Sequence, residues 1–129
     1  MRHPLTFKDS HRYKTDLPLI KNAMNVGVFD FTIAWTRLLP NGTGSTPLSA
    51  GVDFYRNVIE TSKQVGMDNF CTLYHWDLPQ ALQDKYQGWL SADIVTDFGN
   101  YAKIVFDALG DICSNWVTMN EPRTFCTEG

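Results

Sequence analysis

Three short runs rich in β-branched and aromatic residues punctuate this chain, and helical apolar periods lie before and between them. Val28-Phe29-Asp30-Phe31-Thr32-Ile33-Ala34-Trp35, Asn69-Phe70-Cys71-Thr72-Leu73-Tyr74 and Asn115-Trp116-Val117-Thr118-Met119 read as strands. Tyr13, Leu17, Ile20 and Met24 recur at helical spacing before the first run, with Pro18 placing the start of that helix near Thr15 or Asp16. Phe54, Val58 and Val65 mark a helical face that stops at Gly66. Ser91 is a good N-cap for a third stripe, Ile94, Phe98, Ala102, Val105, Phe106 and Leu109, which ends at Gly110. The strands begin roughly 40 to 50 residues apart, so each crossover has room for a helix, which predicts parallel strands with right-handed connections.

Parallel sheets are covered on both faces or closed into a barrel. A closed (β/α)8 barrel takes roughly 250 residues, and this chain has 129. The expected fold is therefore α/β: a partial (β/α)8 TIM barrel of about three parallel strands with flanking helices. Residues 1–129 form a fragment of one catalytic barrel with no internal boundary. The formal net charge of −3 gives no reason to expect nucleic acid as a partner. No run approaches the ~18 apolar residues of a membrane span, so no membrane partner is expected. Met1-Arg2-His3-Pro4-Leu5 shows no signal-peptide apolar region. Cys71, Cys113 and Cys126 are odd in number and lack C-x-x-C spacing, which argues against a disulfide framework or zinc site and predicts buried free thiols.

In such a barrel the chemistry belongs at the carboxyl ends of the strands. Here those ends read Trp35-Thr36-Arg37, His75-Trp76-Asp77 and Asn120-Glu121-Pro122. Neighbouring strand ends would bring Arg37, His75, Trp76, Asn120 and Glu121 to one mouth. Glycoside hydrolysis needs a proton donor for the leaving oxygen and a second carboxylate across the bond. A Glu in a partly dry cleft can be kept protonated near neutral pH. Asn and His supply directed hydrogen bonds to sugar hydroxyls, Trp a flat apolar face, and a guanidinium keeps a nearby carboxylate ionised.

The same residues resemble glycoside hydrolase family 1. Phe31-Thr32-Ile33-Ala34-Trp35-Thr36-Arg37-Leu38-Leu39-Pro40 is similar to that family's FSISWSR-x-x-P segment. Leu73-Tyr74-His75-Trp76-Asp77-Leu78-Pro79-Gln80 is similar to its LYHWDLPQ segment, and Thr118-Met119-Asn120-Glu121-Pro122 to its TFNEP segment. Order and spacing match from about His11 onward. The resemblance implies a retaining β-glucosidase mechanism on small β-glycosides, with no metal or organic cofactor. It implies Glu121 as catalytic acid/base, Asn120 on the hydroxyl beside the anomeric carbon, His75 and Trp76 in the sugar pocket, and Arg37 against the nucleophile.

The chain departs from the pattern where Asp30 replaces the usual Arg and Asn25 the usual Gly, and where Arg123 follows the NEP segment. No segment resembles the family's T/I-ENG nucleophile motif, so the isolated chain is expected to hydrolyse nothing. Two other readings stay open: a non-catalytic sugar-binding barrel, and a metal-dependent barrel hydrolase using His75, Asp77 and Glu121. Asp77 reads as a loop-shaping residue. Asn41-Gly42-Thr43 matches a glycosylation sequon but reads more simply as a glycine-containing turn.

Overall fold

A computed structural model describes residues 11–128. The amino-terminal pentapeptide singled out above lies outside that range. In chain order the elements are α1 (Tyr13–Met24), β1 (Val28–Thr32), α2 (Trp35–Leu38), α3 (Ser49–Gln64), β2 (Asp68–Tyr74), α4 (Gln80–Tyr86), a 3-10 turn (Gly88–Leu90), α5 (Asp93–Leu109), β3 (Asn115–Met119) and α6 (Pro122–Glu128). The strands form one parallel sheet in the order β1-β2-β3. Val28 pairs with Asp68 through Thr32 with Thr72, and Phe70 pairs with Asn115 through Tyr74 with Met119.

β2 is central, and from Cys71 to Tyr74 it is buried throughout. Its Cys71 and Leu73 pack with Tyr55 and Ile59 of α3 and with Tyr101, Val105 and Leu109 of α5 in one apolar cluster. A near-continuous apolar run is what a strand covered on both faces requires. The outer strands β1 and β3 stay half-exposed.

Four sequence expectations are corrected. The first strand ends at Thr32, not Trp35. Trp35 opens α2 instead because its indole is fully buried, stacks on Tyr101 with centroids 4.6 Å apart, and donates Nε1–H to the Gly42 carbonyl at 3.1 Å. That packing overrides its β-propensity. Helix α1 begins at Tyr13, which leaves Pro18 in its second turn, where it has no N–H to give. Asp30 is exposed and accepts a hydrogen bond from Thr72 Oγ1 at 3.2 Å, so no buried acid burdens β1.

The fourth correction concerns the thiols. Cys71 and Cys113 are bonded to each other, and both are buried; Cys126 alone is free, and it is exposed rather than buried. The bond ties β2 to the link between α5 and β3 across 42 residues of sequence. Short spacing is not needed for pairing when parallel neighbours bring distant residues together. A second tie to the same link comes from α3. Arg56 makes a paired contact with the Asp111 carboxylate at 2.8 and 2.7 Å and also donates to the Ala108 carbonyl.

Candidate active site

The ends of β2 and β3 are stitched together beyond the sheet. The Asn120 amide N–H donates to the Tyr74 carbonyl at 2.9 Å, extending the ladder past Met119. Trp76 Nε1–H then donates to the Asn120 carbonyl at 3.2 Å. The Asn120 side-chain amide nitrogen lies 3.0 Å from His75 Nε2. An amide nitrogen only donates, so this nitrogen of the ring is its acceptor, and the other, Nδ1, lies 3.4 Å from Thr32 Oγ1. One imidazole thereby touches the ends of all three strands.

Two residues of this mouth adopt left-handed backbone conformations that side chains other than glycine disfavour: Trp76 at φ 70° and Glu121 at φ 44°. Each costs on the order of 1–3 kcal/mol and persists only where neighbours fix it. Trp76 is held by its indole hydrogen bond and by the edge of the His75 ring, 5.7 Å away. Glu121 is held by its own carbonyl, which accepts the N–H of Thr124 at 3.0 Å and Phe125 at 3.4 Å and so starts α6, with Pro122 at its first position. The Glu121 side chain is exposed, so the described residues do not bury it in the partly dry cleft that the sequence suggests. Trp76 is 48% exposed.

Arg37 does not join this hydrogen-bonded group. It lies on α2, its guanidinium 4.3 Å above the Phe54 ring and 5.8 Å from that of Tyr55. Gly51 allows this placement: a Cβ there would stand 2.4 Å from the Arg37 carbonyl, so only glycine lets α3 pass so close under α2.

Beneath the mouth lies a layer of polar groups that sequence reasoning missed. The Tyr101 hydroxyl is fully buried and lies within hydrogen-bond distance of both the Ile33 carbonyl at 2.8 Å and the Leu73 carbonyl at 2.9 Å, one just beyond β1 and the other one residue before the end of β2. Tyr55 Oη accepts the Ala34 N–H at 2.7 Å. Tyr74 Oη accepts the Trp89 indole N–H at 2.8 Å. Burial raises the pKa of all three phenols, Tyr101 most strongly. Asp77 sits among them. Burial pushes its carboxyl above the ordinary range, and the N–H groups of Asp77 itself, His75 and Trp35 offset this only partly. One of its oxygens, Oδ2, is buried without a partner among the described residues. Its Oδ1 accepts the His75 N–H at 3.4 Å within the turn that carries Trp76. Its adjacency to His75 was the available signal; nothing in the local sequence marks Tyr55 or Tyr101, which arrive from helices.

No three His, Cys, Asp or Glu side chains among the described residues gather as metal ligands would. No described helix is long and apolar enough to cross a membrane.

The sequence and the fold have close counterparts. The profile of glycosyl hydrolase family 1 matches residues 5–129. Beta-glucosidase 40 of Arabidopsis thaliana is 46% identical over 119 residues, covering 92% of this chain and 23% of the relative. Beta-glucosidase 12 of Oryza sativa subsp. indica is 47% identical over 120 residues, with the same coverage. The crystal structure of a rice Os3BGlu6 beta-glucosidase superposes with TM-score 0.89 at 44% identity, over 94% of this chain and 25% of that one. A family 1 beta-glucosidase from Thermotoga maritima gives 0.87 at 40%, over 93% and 26%. The chain thus spans about a quarter of the length of the relatives it matches. Its three strands and flanking helices are part of their (β/α)8 barrel. The chain belongs to glycosyl hydrolase family 1.

Proposed function

We propose that the protein containing this chain hydrolyses small β-glycosides with retention of configuration, and that Glu121 is its acid/base. The observation that carries this reading is the tethered group His75, Trp76 and Asn120 at the ends of β2 and β3, with Glu121 next in sequence. Glu121 would first protonate the departing glycosidic oxygen, then take a proton from the water that releases the sugar. The Asn120 amide, oriented by His75, would hydrogen-bond the hydroxyl next to the anomeric carbon. Trp76 would offer its exposed face to the ring. Arg37 would reach the nucleophile only after leaving the Phe54 ring or by the nucleophile's approach to it. The relatives' names support glucosides as substrates, among them a benzoxazinyl glucoside β-D-glucosidase of Triticum aestivum at 45% identity. No step calls for a metal or an organic cofactor.

The second carboxylate is not supplied by these residues. Glu60 lies on the exposed side of α3, and Glu128 ends α6. The test is the stereochemistry of the first-formed sugar. Proton NMR during turnover of an aryl β-glucoside by the full-length protein should show the β-anomer first. The α-anomer first, or no hydrolysis, contradicts the proposal.

A further inference from the structure

The turn Asn41-Gly42-Thr43 satisfies two readings at once. Gly42 carries the turn. Its φ is 75°, its N–H donates to the Leu39 carbonyl at 2.8 Å, its own carbonyl accepts from Trp35, and a Cβ there would stand 2.4 Å from Leu82. The two flanking side chains contribute nothing to it. Neither the Asn41 amide nor the Thr43 hydroxyl makes a hydrogen bond among the described residues, and Asn41 is exposed. The turn explains the glycine and leaves the Asn-x-Thr spacing unexplained.

A second, independent observation comes from the core. Structural disulfides such as Cys71–Cys113 form and persist in oxidising compartments, the secretory pathway and the cell exterior among them, and are rare in reducing ones. The secretory pathway is also where Asn-x-Ser/Thr sequons are modified. We infer that Asn41 is an N-glycan acceptor.

The surroundings suit a sugar. Asn41 stands at the rim of a hollow of about 520 Å³ lined also by Thr36, Pro40, Gln80, Ala81 and Asp84. The Gln80 amide donates to Asp84 at 2.8 Å, which leaves the Gln80 carbonyl and the other Asp84 oxygen to accept from sugar hydroxyls. In the transfer, the Asn41 amide nitrogen attacks C1 of an oligosaccharide carried on a polyprenyl pyrophosphate. The N–C1 bond forms, the C1–O bond to the pyrophosphate breaks, the lipid pyrophosphate leaves, and the amide proton passes to a base of the transferase. No electrons are exchanged.

The test uses the full-length protein isolated from its source cells. It is treated with peptide N-glycosidase in ¹⁸O-water and digested with trypsin, and the Leu38–Arg56 peptide is analysed by mass spectrometry. A parallel sample without the amidase controls for spontaneous deamidation, to which Asn-Gly is prone. Enzyme-dependent conversion of Asn41 to ¹⁸O-labelled Asp is expected. In a secretory eukaryotic host, Thr43→Ser should keep the glycan and Thr43→Ala should lose it, since only the hydroxyl completes the sequon, and that hydroxyl makes no hydrogen bond among the described residues. Recovery of unmodified Asn41, or a glycan that survives Thr43→Ala, overturns the inference.

Discussion

His75 is the residue on which the mouth turns, because its two ring nitrogens face different strands. Replacing it with Ala frees the Asn120 side chain and removes the link to Thr32. In the full-length protein this should lower kcat/KM by roughly 10²-fold, the cost of misplacing a substrate-positioning group. Steady-state kinetics on a β-glucoside reads it, and an unchanged kcat/KM would remove His75 from the site. Asp77 makes a prediction of a different kind. Its folded pKa is raised by burial, so the folded state favours the protonated acid. Its stabilising effect is complete below the unfolded value of about 3.9 and is lost as pH rises through the folded value. Asp77→Asn cannot ionise. The Tm of the variant relative to the natural chain should therefore climb from about pH 4 upward and level off once the buried acid has ionised. Thermal melts across that range would show a flat difference if Asp77 were not buried as described.

At the scale of elements, side chains from the helices lock the strand ends. Tyr101 reaches from α5 to carbonyls near the ends of two strands. Tyr101→Phe removes the single hydroxyl proton that these two carbonyls share in a buried site and should cost about 1–3 kcal/mol of unfolding free energy, measurable by urea titration. The Arg56 clamp on Asp111 holds α3 to the α5–β3 link and lowers the Asp111 pKa. A depressed carboxylate stabilises above its unfolded pKa of about 3.9, and that contribution disappears as pH falls through the folded value. Asp111→Asn should accordingly be less stable than the natural chain near neutrality and indistinguishable from it in strong acid.

How far the sequence revealed these elements depends on where their cause lies. The three strands and the stripe Ile94, Phe98, Val105 and Leu109 were legible because local periodicity and burial agree there. Trp35 was misassigned because its fate is set by Tyr101 and Gly42, which reach it only through the fold. Asp30 looked misplaced on a buried strand, yet β1 is a half-exposed strand, and the residue faces water. The strand-end residues His75, Trp76 and Asn120 were readable as a group because parallel order alone brings those ends together. The supporting Tyr55 and Tyr101 were not, since which helical residue points under the mouth depends on packing that no local pattern records.

At the scale of the whole molecule, the disulfide is the largest single constraint on the unfolded chain. It joins residues 42 apart, and removing it should cost roughly 2–5 kcal/mol, most of it by freeing the denatured ensemble. Cys71→Val with Cys113→Val keeps the core apolar and isolates that effect. The double variant should melt below the oxidised chain and match it after reduction. The chain carries one candidate catalytic carboxylate and spans about a quarter of its relatives. A retaining mechanism needs two carboxyl groups about 5 Å apart, so the 129-residue chain by itself should turn over an aryl β-glucoside no faster than buffer.

Proton delivery by Glu121 is the step on which the proposed chemistry depends. The direct measurement is Glu121→Gln in the full-length protein, assayed with two glucosides that differ in leaving-group acidity. An alkyl glucoside needs its oxygen protonated, and its glycosidic-cleavage rate should fall by about 10²–10⁴-fold. A dinitrophenyl glucoside leaves unaided, and pre-steady-state release of its phenolate should stay close to the natural rate. An equal loss with both substrates, or none with either, would contradict the assignment.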